Sequence, residues 1–312
     1  MSRERYVNLD GTTPDKGLGE VLRWQVLDRL TGKRVRTGRD FVTPRRENDG
    51  RAIREPAPSL TWIGHATFVQ RLGGALIATD PIWSERIQSV VPRRTAPGVA
   101  LRDVPPMNVV TVSHAHFDHF DLPTLKRLGH EPVYVVPKGN AALLRDVGIP
   151  QVVELDWWGS YVVPNAKLTI TLVPAQHWSM RMPWDRNTRL WGGFVYESPE
   201  GTSYHAGDTA FSEEVFRAIG ARFPEIDWAM LPIGAYDPGW FMSAQHMGPE
   251  EAGRAWELVG AKNFCAMHWG TFDLADEPPG EPPARLRRWW TERGCDPSRL
   301  WIFDVGETRR LL

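Results

Sequence analysis

The sequence predicts an α/β fold of layered sheets and helices, on three observations. Short apolar runs rich in Val, Ile, Leu and Trp recur from Ser59 onward, and helical patterns alternate with them. The chain has 312 residues, 42% hydrophobic and 24% charged, enough for a large core and too balanced for disorder.

The elements follow in order. Residues 1–56 mix Arg, Asp, Gly and Thr around one amphipathic piece, Val21 to Leu30 (VLRWQVLDRL), expected as a helix of about three turns in an otherwise irregular arm. LTWIG at 60–64, ALIATD at 75–80, NVVTVSH at 108–114 and VYVVP at 133–137 then read as strands. KLTITLVPA at 167–175, GGFVYES at 192–198, WAMLPIGA at 228–235 and NFCAMHW at 263–269 read the same way, several with both faces buried. Helical patterns cover Leu122 to Leu128, Asn140 to Val147, Ser212 to Ile219 and Pro249 to Val259. The last is the clearest: Pro249 suits a first turn, Glu250 and Glu251 complement the positive end of the dipole, and Ala252, Ala255, Trp256 and Val259 form one apolar face. PPGEPP at 278–283 is expected as a loop, followed by a helix-like ARLRRWWTER and a strand-like LWIFDV. The expected organisation is a basic arm, 1–56, packed on a principal domain, 57–312.

Charge and cysteine usage narrow the function classes. The net charge is −1, without the positive field of a nucleic-acid binder. The arm carries +4 and the remainder −5, with most of the basic excess between Lys33 and Arg46. That segment is either a solvated surface or a dock for anionic lipid, the former being the simpler expectation. Cys265 and Cys295 offer no CxxC pair, which argues against a disulfide framework or thiolate zinc site and fits a reducing compartment. No apolar stretch has the length of a signal peptide core or a membrane span, so the expected location is cytoplasmic, with membrane contact only at the periphery.

The strongest chemical signal is His114-Ala115-His116-Phe117-Asp118-His119, an H-x-H-x-D-H cluster at the end of NVVTVS. A strand entering a tight loop there can gather three imidazoles and a carboxylate, donors that suit borderline cations such as zinc. Four such groups in six residues would be mutually repulsive and poorly satisfied without a cation. Six residues cannot close two metal sites. The further candidates are His177 after KLTITLVPAQ, Asp208 in the turn HAGDT, and His268 at the end of NFCAMH, each following an apolar run at its expected C-terminal end. Asp80, between an apolar run and Pro81, either fixes a ligand histidine by accepting its proton or stabilises a turn. His65 in GHAT either supports the ligands from behind or simply packs beside them.

In that order, His-x-His-x-Asp-His, then His, Asp and His form the ligand series of the metallo-β-lactamase superfamily, which this sequence resembles. GHAT at 64–67, TDP at 79–81, ELDWW at 154–158, AGDT at 206–209, PIGAY at 232–236, QHMGPEEA at 245–252 and HWGTF at 268–272 narrow the resemblance. Together with VLRW at 21–24 they look like the N-acyl-phosphatidylethanolamine-hydrolysing phospholipase D branch. The resemblance implies an αββα sandwich, two facing mixed β-sheets flanked by helices, with two Zn²⁺ per chain in the cleft. It places His114, His116 and His177 on the first ion, Asp118, His119 and His268 on the second, and Asp208 between them. Two ions about 3.5–4 Å apart activate a shared water and neutralise charge developing on a phosphoryl oxygen. Asp118, Asp208 and His246 are then the expected catalytic residues, with His246 near the phosphate or the leaving group.

The implied activity is a zinc-dependent phosphodiesterase of phospholipase D type, releasing phosphatidic acid and an N-acylethanolamine from a phospholipid through a dizinc-bound hydroxide. The alternative is a lactonase or other acyl hydrolase with weak β-lactamase activity, since the same nucleophile attacks an acyl carbon. Expected partners are a phospholipid or small phosphodiester, a peripheral membrane surface and a second copy of the chain, with no nucleic acid. Most of the fifteen Trp are expected in the core, with Trp178, Trp184 and Trp240, in loops rich in Met, Pro and Gly, as exceptions at an acyl groove or lipid interface.

Overall fold

The structure is a computed structural model that describes residues 5–14, 17–31, 37–38 and 40–311. The chain first forms a short helix, α1 (Leu18–Leu22), a π-helical turn (Arg23–Leu27) and α2 (Asp28–Leu30), then α3 (Arg51–Arg54). The expected helix at 21–30 is thus present but begins at Leu18 and is wound more widely in its middle. Of the basic segment, residues 33–36 and 39 lie outside the described residues. Arg46, at its far end, pairs with Asp304 at 2.8 Å.

The first sheet contains β1 (Ser59–Gly64), β2 (Thr67–Leu72), β3 (Ala75–Thr79), β6 (Val109–Thr111), β7 (Val133–Pro137), β8 (Val152–Leu155) and β16 (Thr308–Arg310), in the order β16-β1-β2-β3-β6-β7-β8. The second contains β9 (Ser160–Val162), β10 (Thr169–Val173), β11 (Gly193–Ser198), β12 (Gly201–His205), β13 (Trp228–Pro232), β14 (Asn263–Met267) and β15 (Leu300–Trp301), in the order β15-β14-β13-β12-β11-β10-β9. A small hairpin of β4 (Arg86–Ile87) and β5 (Val91–Pro92) stands apart. Both large sheets are mixed: β16, β1, β2 and β3 pair antiparallel, whereas β3, β6, β7 and β8 pair parallel. In the second sheet β9 to β12 pair antiparallel and β12 to β15 parallel.

Period-2 alternation explains the layering. In β6, Val109 joins the core between the sheets and Val110 the core outside the first sheet. In β7, Val135 faces in while Tyr134 and Val136 face out. The outer core lies against α4 (Leu122–Leu128) and α5 (Ala141–Arg145), which contribute Leu125 and Leu144. The inner core holds Trp62, Phe68, Phe194, Tyr196 and Tyr204. Beyond the second sheet lie α6 (Glu213–Arg222), α8 (Pro249–Val259) and α9 (Glu281–Glu292), with α7 (Gly239–Met242) in the connection before α8. The expected face of α8 is the buried one, and Glu251 accepts a hydrogen bond from Gly248 N at its start. These two sheets flanked by helices are the expected αββα sandwich.

Two expectations are corrected. The loop expected over 278–283 ends early, because Glu281, Pro282 and Pro283 form the first turn of α9, where proline costs no intrahelical hydrogen bond. The strand expected over 108–114 stops at Thr111, because Asp80 takes the Ser113 N–H and hydroxyl in place of a neighbouring strand.

Candidate metal centre

The ends of β3, β6, β10, β12 and β14 open toward one edge of the sandwich, and each delivers a polar side chain there. The loop after β6 begins at Ser113, whose N–H donates to Asp80 Oδ1 and whose hydroxyl donates to Oδ2, both at 2.6 Å. His119 Nδ1 donates to the same Oδ2 at 2.7 Å, so the Asp80 carboxylate accepts from an imidazole as well as from the turn. His114 Nδ1 donates to Ser113 Oγ at 2.9 Å, and His177 Nδ1 to the carbonyl of Gln245 at 2.8 Å. With Nδ1 of His114 and His177 occupied as a donor, each neutral ring turns an Nε2 lone pair inward, and His119, whose Nδ1 is likewise engaged, aims its Nε2 the same way.

Two groups result. His114 Nε2 and His177 Nε2 lie 2.8 and 3.2 Å from His116 Nδ1. Two Zn–N bonds in a tetrahedron would set such nitrogens about 3.3 Å apart, so this trio has the spacing of a single ion's ligands. The second group is Asp118, His119, His268 and His65, gathered on Asp118 Oδ2 at 3.5, 3.6 and 3.0 Å from Nε2 of the three imidazoles in that order. Asp208 sits between the groups: Oδ2 is 3.1 Å from His119 Nε2, Oδ1 is 3.1 Å from His268 Nε2, and Oδ2 is 4.0 Å from Nε2 of both His114 and His177. Asp208 Oδ1, His119 Nε2 and His268 Nε2 are buried and not aligned for hydrogen bonds among the described residues, although close enough for them. Buried polar atoms that converge without pairing fit a cation at their centre.

His65 therefore stands closer to the centre than a packing residue would, with its ring 4.0 Å from that of His268. His246 lies at the open side: its Nδ1 is 3.8 Å from Asp208 Oδ2, and its ring is 5.4 Å from His177 and 5.6 Å from His268. Trp178 packs edge-on to His116 at 4.6 Å, whereas Trp184 is 70% exposed and Trp240 38%. Trp191 and Trp269 are buried in the core.

The electrostatics divide the imidazoles. Burial lowers His65 to about 3 and His116 and His246 to about 4, and holds His114 and His177 well below the usual value. These rings are neutral, as ligands must be. Burial also disfavours charge on His268, but Asp208 and Asp118 override it and raise His268 to about 9. His119 is raised well above its usual value against burial by Asp208, Asp118 and Asp80. Asp118 and Asp208 stay ionised despite burial because His119 faces both, with His268 beside them. Protons on His119 and His268 thus balance the two carboxylates where a divalent cation would do the same.

Several supports carry no motif. Arg181 Nη1 donates to the carbonyls of Ala115 and Phe120 at 3.0 and 2.9 Å, and its guanidinium lies 4.1 Å from the Phe117 ring centroid, so it clamps the six-residue loop. His205 donates from Nε2 to Ala66 O at 2.9 Å and accepts from Gly207 N at Nδ1, joining the GHAT turn to the Asp208 turn across the sandwich. Gly207 has φ +61°, and a Cβ there would stand 2.6 Å from that of Ser113, so only glycine brings the Asp208 turn this close to the β6 loop.

The model of the β-lactamase superfamily domain matches residues 76–269, and the chain belongs to the metallo-β-lactamase superfamily. It is 38% identical over 263 residues to N-acyl-phosphatidylethanolamine-hydrolyzing phospholipase D 1 of Caenorhabditis elegans, covering 79% of this chain and 74% of that one. It is 30% identical over 258 residues to a UPF0173 metal-dependent hydrolase of Pyrobaculum aerophilum, covering 81% and 99%. Among solved structures, the metallo hydrolase Igni18 of Ignicoccus hospitalis superposes with a TM-score of 0.63 at 24% identity, over 81% of this chain and 97% of that one, a likeness of fold. The protein is a metal-dependent hydrolase of this superfamily.

Proposed function

We propose that the protein is a zinc-dependent phosphodiesterase of phospholipase D type, acting on phospholipids like N-acyl-phosphatidylethanolamine. The observation that carries this reading is the placement of Asp208 between two groups of inward-facing donors. His114, His116 and His177 would hold one ion, and Asp118, His119 and His268 the other, with Asp208 shared. A bound pair supplies a Lewis acid and a water that ionises near neutral pH. The protein's own groups do the rest. Asp80 and Gln245 O keep His119 and His177 in the tautomer that presents Nε2, and the His65 ring holds Asp118 Oδ2 at 3.0 Å. His246, neutral and at the open side, is placed to receive a phosphoryl oxygen or to serve the leaving alcohol.

A lipid substrate is supported by the apolar side chains left in solvent on the arm helices and on α7, which ends four residues before His246. Trp240 is on α7, beneath the Arg23 guanidinium at 4.4 Å, and next to it the arm helices expose Leu22, Val26, Leu27 and Leu30. These would meet a membrane surface peripherally; among the described residues no helix is long and apolar enough to cross one. The relationship to the nematode phospholipase D favours the same substrate class. The test is metal analysis of the purified chain followed by one assay panel of phospholipids, a soluble phosphodiester, lactones and β-lactams. Two zinc ions per chain and release of phosphatidic acid support the reading; turnover of lactones with phosphodiesters untouched overturns it in favour of an acyl hydrolase.

A further inference from the structure

The superfamily match begins at residue 76, yet one buried contact of the metal centre comes from residue 8. Residues 5–14 have no regular structure, and Asn8 nevertheless is 2% exposed. Its side-chain carbonyl accepts two hydrogen bonds, from the backbone N–H of His177 at 3.0 Å and from Trp191 Nε1 at 3.1 Å. Both donors are N–H groups, so the oxygen of the amide is the atom that faces them.

The segment is pinned where it crosses the His177 loop. Asn8 N donates to Thr12 O and Gly11 N to Asn8 O, which closes a turn. Asp10 Oδ1 accepts from Thr12 N and Oγ1, and its Oδ2 accepts from Gln176 Nε2 at 2.9 Å. Tyr6 N donates to Asn187 O, and Asn187 in turn bonds to Ser179 in both directions. The two ends of residues 176–187 are thus tied to the same short stretch of chain. His177 is then fixed twice: its ring by Gln245 O and its backbone by Asn8.

We propose that Asn8 is a positioning residue of the metal centre, whose amide oxygen, carried in on the N-terminal segment, fixes the His177 backbone and through it the trio of His114, His116 and His177. The inference rests on the dinuclear reading given above. Losing the acceptor strands a buried N–H and frees the loop to shift, and outer contacts of this kind typically set metal affinity by about 10–100-fold.

The experiment compares the full-length parent with Asn8→Ala, Asn8→Asp and Asp10→Ala. Zinc retention is measured against a graded chelator, the absorption spectrum of the cobalt(II)-loaded protein reports ligand geometry, and kcat and KM are taken on a soluble phosphodiester. Asn8→Ala should release one ion at about tenfold lower chelator strength, alter the cobalt spectrum and lower kcat with little change in KM. Asn8→Asp, which keeps the acceptor, should restore retention and spectrum, and Asp10→Ala should shift retention in the same direction by a smaller factor. Parent-like retention, spectrum and kcat in Asn8→Ala, with only a lower Tm, overturns the proposal and leaves a packing contact. Should Asn8→Ala fail to fold, unchanged retention in Asp10→Ala overturns it instead. A parent that holds fewer than two ions defeats the dinuclear reading, while the comparison at the ion that remains still decides the role of Asn8.

Discussion

Replacing Asp208 by Asn removes one charge and almost no volume, so it isolates the electrostatic part of the centre. The carboxylate is buried and lies 3.1 Å from Nε2 of His119 and of His268, and 4.0 Å from those of His114 and His177. Two unit charges about 4 Å apart at an effective dielectric near 20 interact by about 4 kcal/mol. Removing one partner from a buried charge interaction costs about 3–5 kcal/mol, which is roughly 10²–10⁴-fold in a dissociation constant. Asp208→Asn should therefore lose metal and kcat/KM together, by about that factor at a fixed free-metal level. The assay is metal content by mass spectrometry in a metal-buffered series, with kcat/KM on one phosphodiester measured in the same samples. Both ions retained at the parent's free-metal level, with kcat/KM within about tenfold, would refute the shared placement of Asp208.

Other substitutions probe other parts of the reaction. His246→Ala should keep the parent's metal content and lose about 10²–10⁴ in kcat/KM, as expected of a neutral imidazole that accepts a proton beside the phosphoryl group; metal loss would make it a ligand, and unchanged kinetics would remove it from the site. Asp80→Asn should weaken metal retention by about 10–100-fold through the tautomer of His119, and a parent-like chelator curve would show that this contact is dispensable. Metal uptake should release protons and tighten as pH rises toward about 9, since His268 is held at about 9 against the ordinary 6.5 and must give up its proton to bind. The sign for the metal-free protein is opposite: the raised pKa of His268 stabilises it fully below about 6.5, and that contribution is lost as pH rises through about 9. Calorimetry in buffers of different ionisation enthalpy checks the first part and Tm against pH the second. Metal binding without proton release would be the contrary result.

The legible part of the fold is the part whose apolar residues stand in an unbroken run or recur along one helix face. β7 and α8 coincide with VYVVP at 133–137 and Pro249–Val259, and most other apolar runs differ from their strands by a few residues at the ends. β2 and β16 carry no such run. In TFVQRL the buried Gln70 Oε1 accepts from Ser203 Oγ of the opposite sheet at 2.8 Å, and the backbone of Thr308–Arg310 is recruited by β1 rather than by any apolar preference of its own. Side chains of these two strands find their partners on another layer or at a sheet edge, and no local pattern records that. Likewise Gly201–His205 is polar at three of its five positions, and it is held between β11 and β13.

The site was legible where the chemistry needs several donors close in sequence, and illegible where it needs one or two hydrogen bonds from far away. His114 to His119 stand together because one loop must supply most of two clusters; Asn8, Arg181 and His205 support that loop, or the neighbouring turns, from distant positions through one or two backbone contacts each. The backbone gives the same contrast. His65, Asp80 and His268, all at the centre, have φ of +56°, +39° and +61°, a region that costs residues other than glycine about 1–3 kcal/mol each. They stay there because neighbours leave no alternative. His65 O accepts from both Trp62 Nε1 and His268 N, Thr271 Oγ1 accepts from His65 N, and Asp80 O accepts from Thr67 Oγ1. Thr67 and Thr271 thus hold in place two turns whose imidazole and carboxylate do the visible work, and their sequence signature is a single hydroxyl each. A reading confined to donor-rich motifs finds the groups that would touch the metal and passes over the residues that make their strained geometry the only one available.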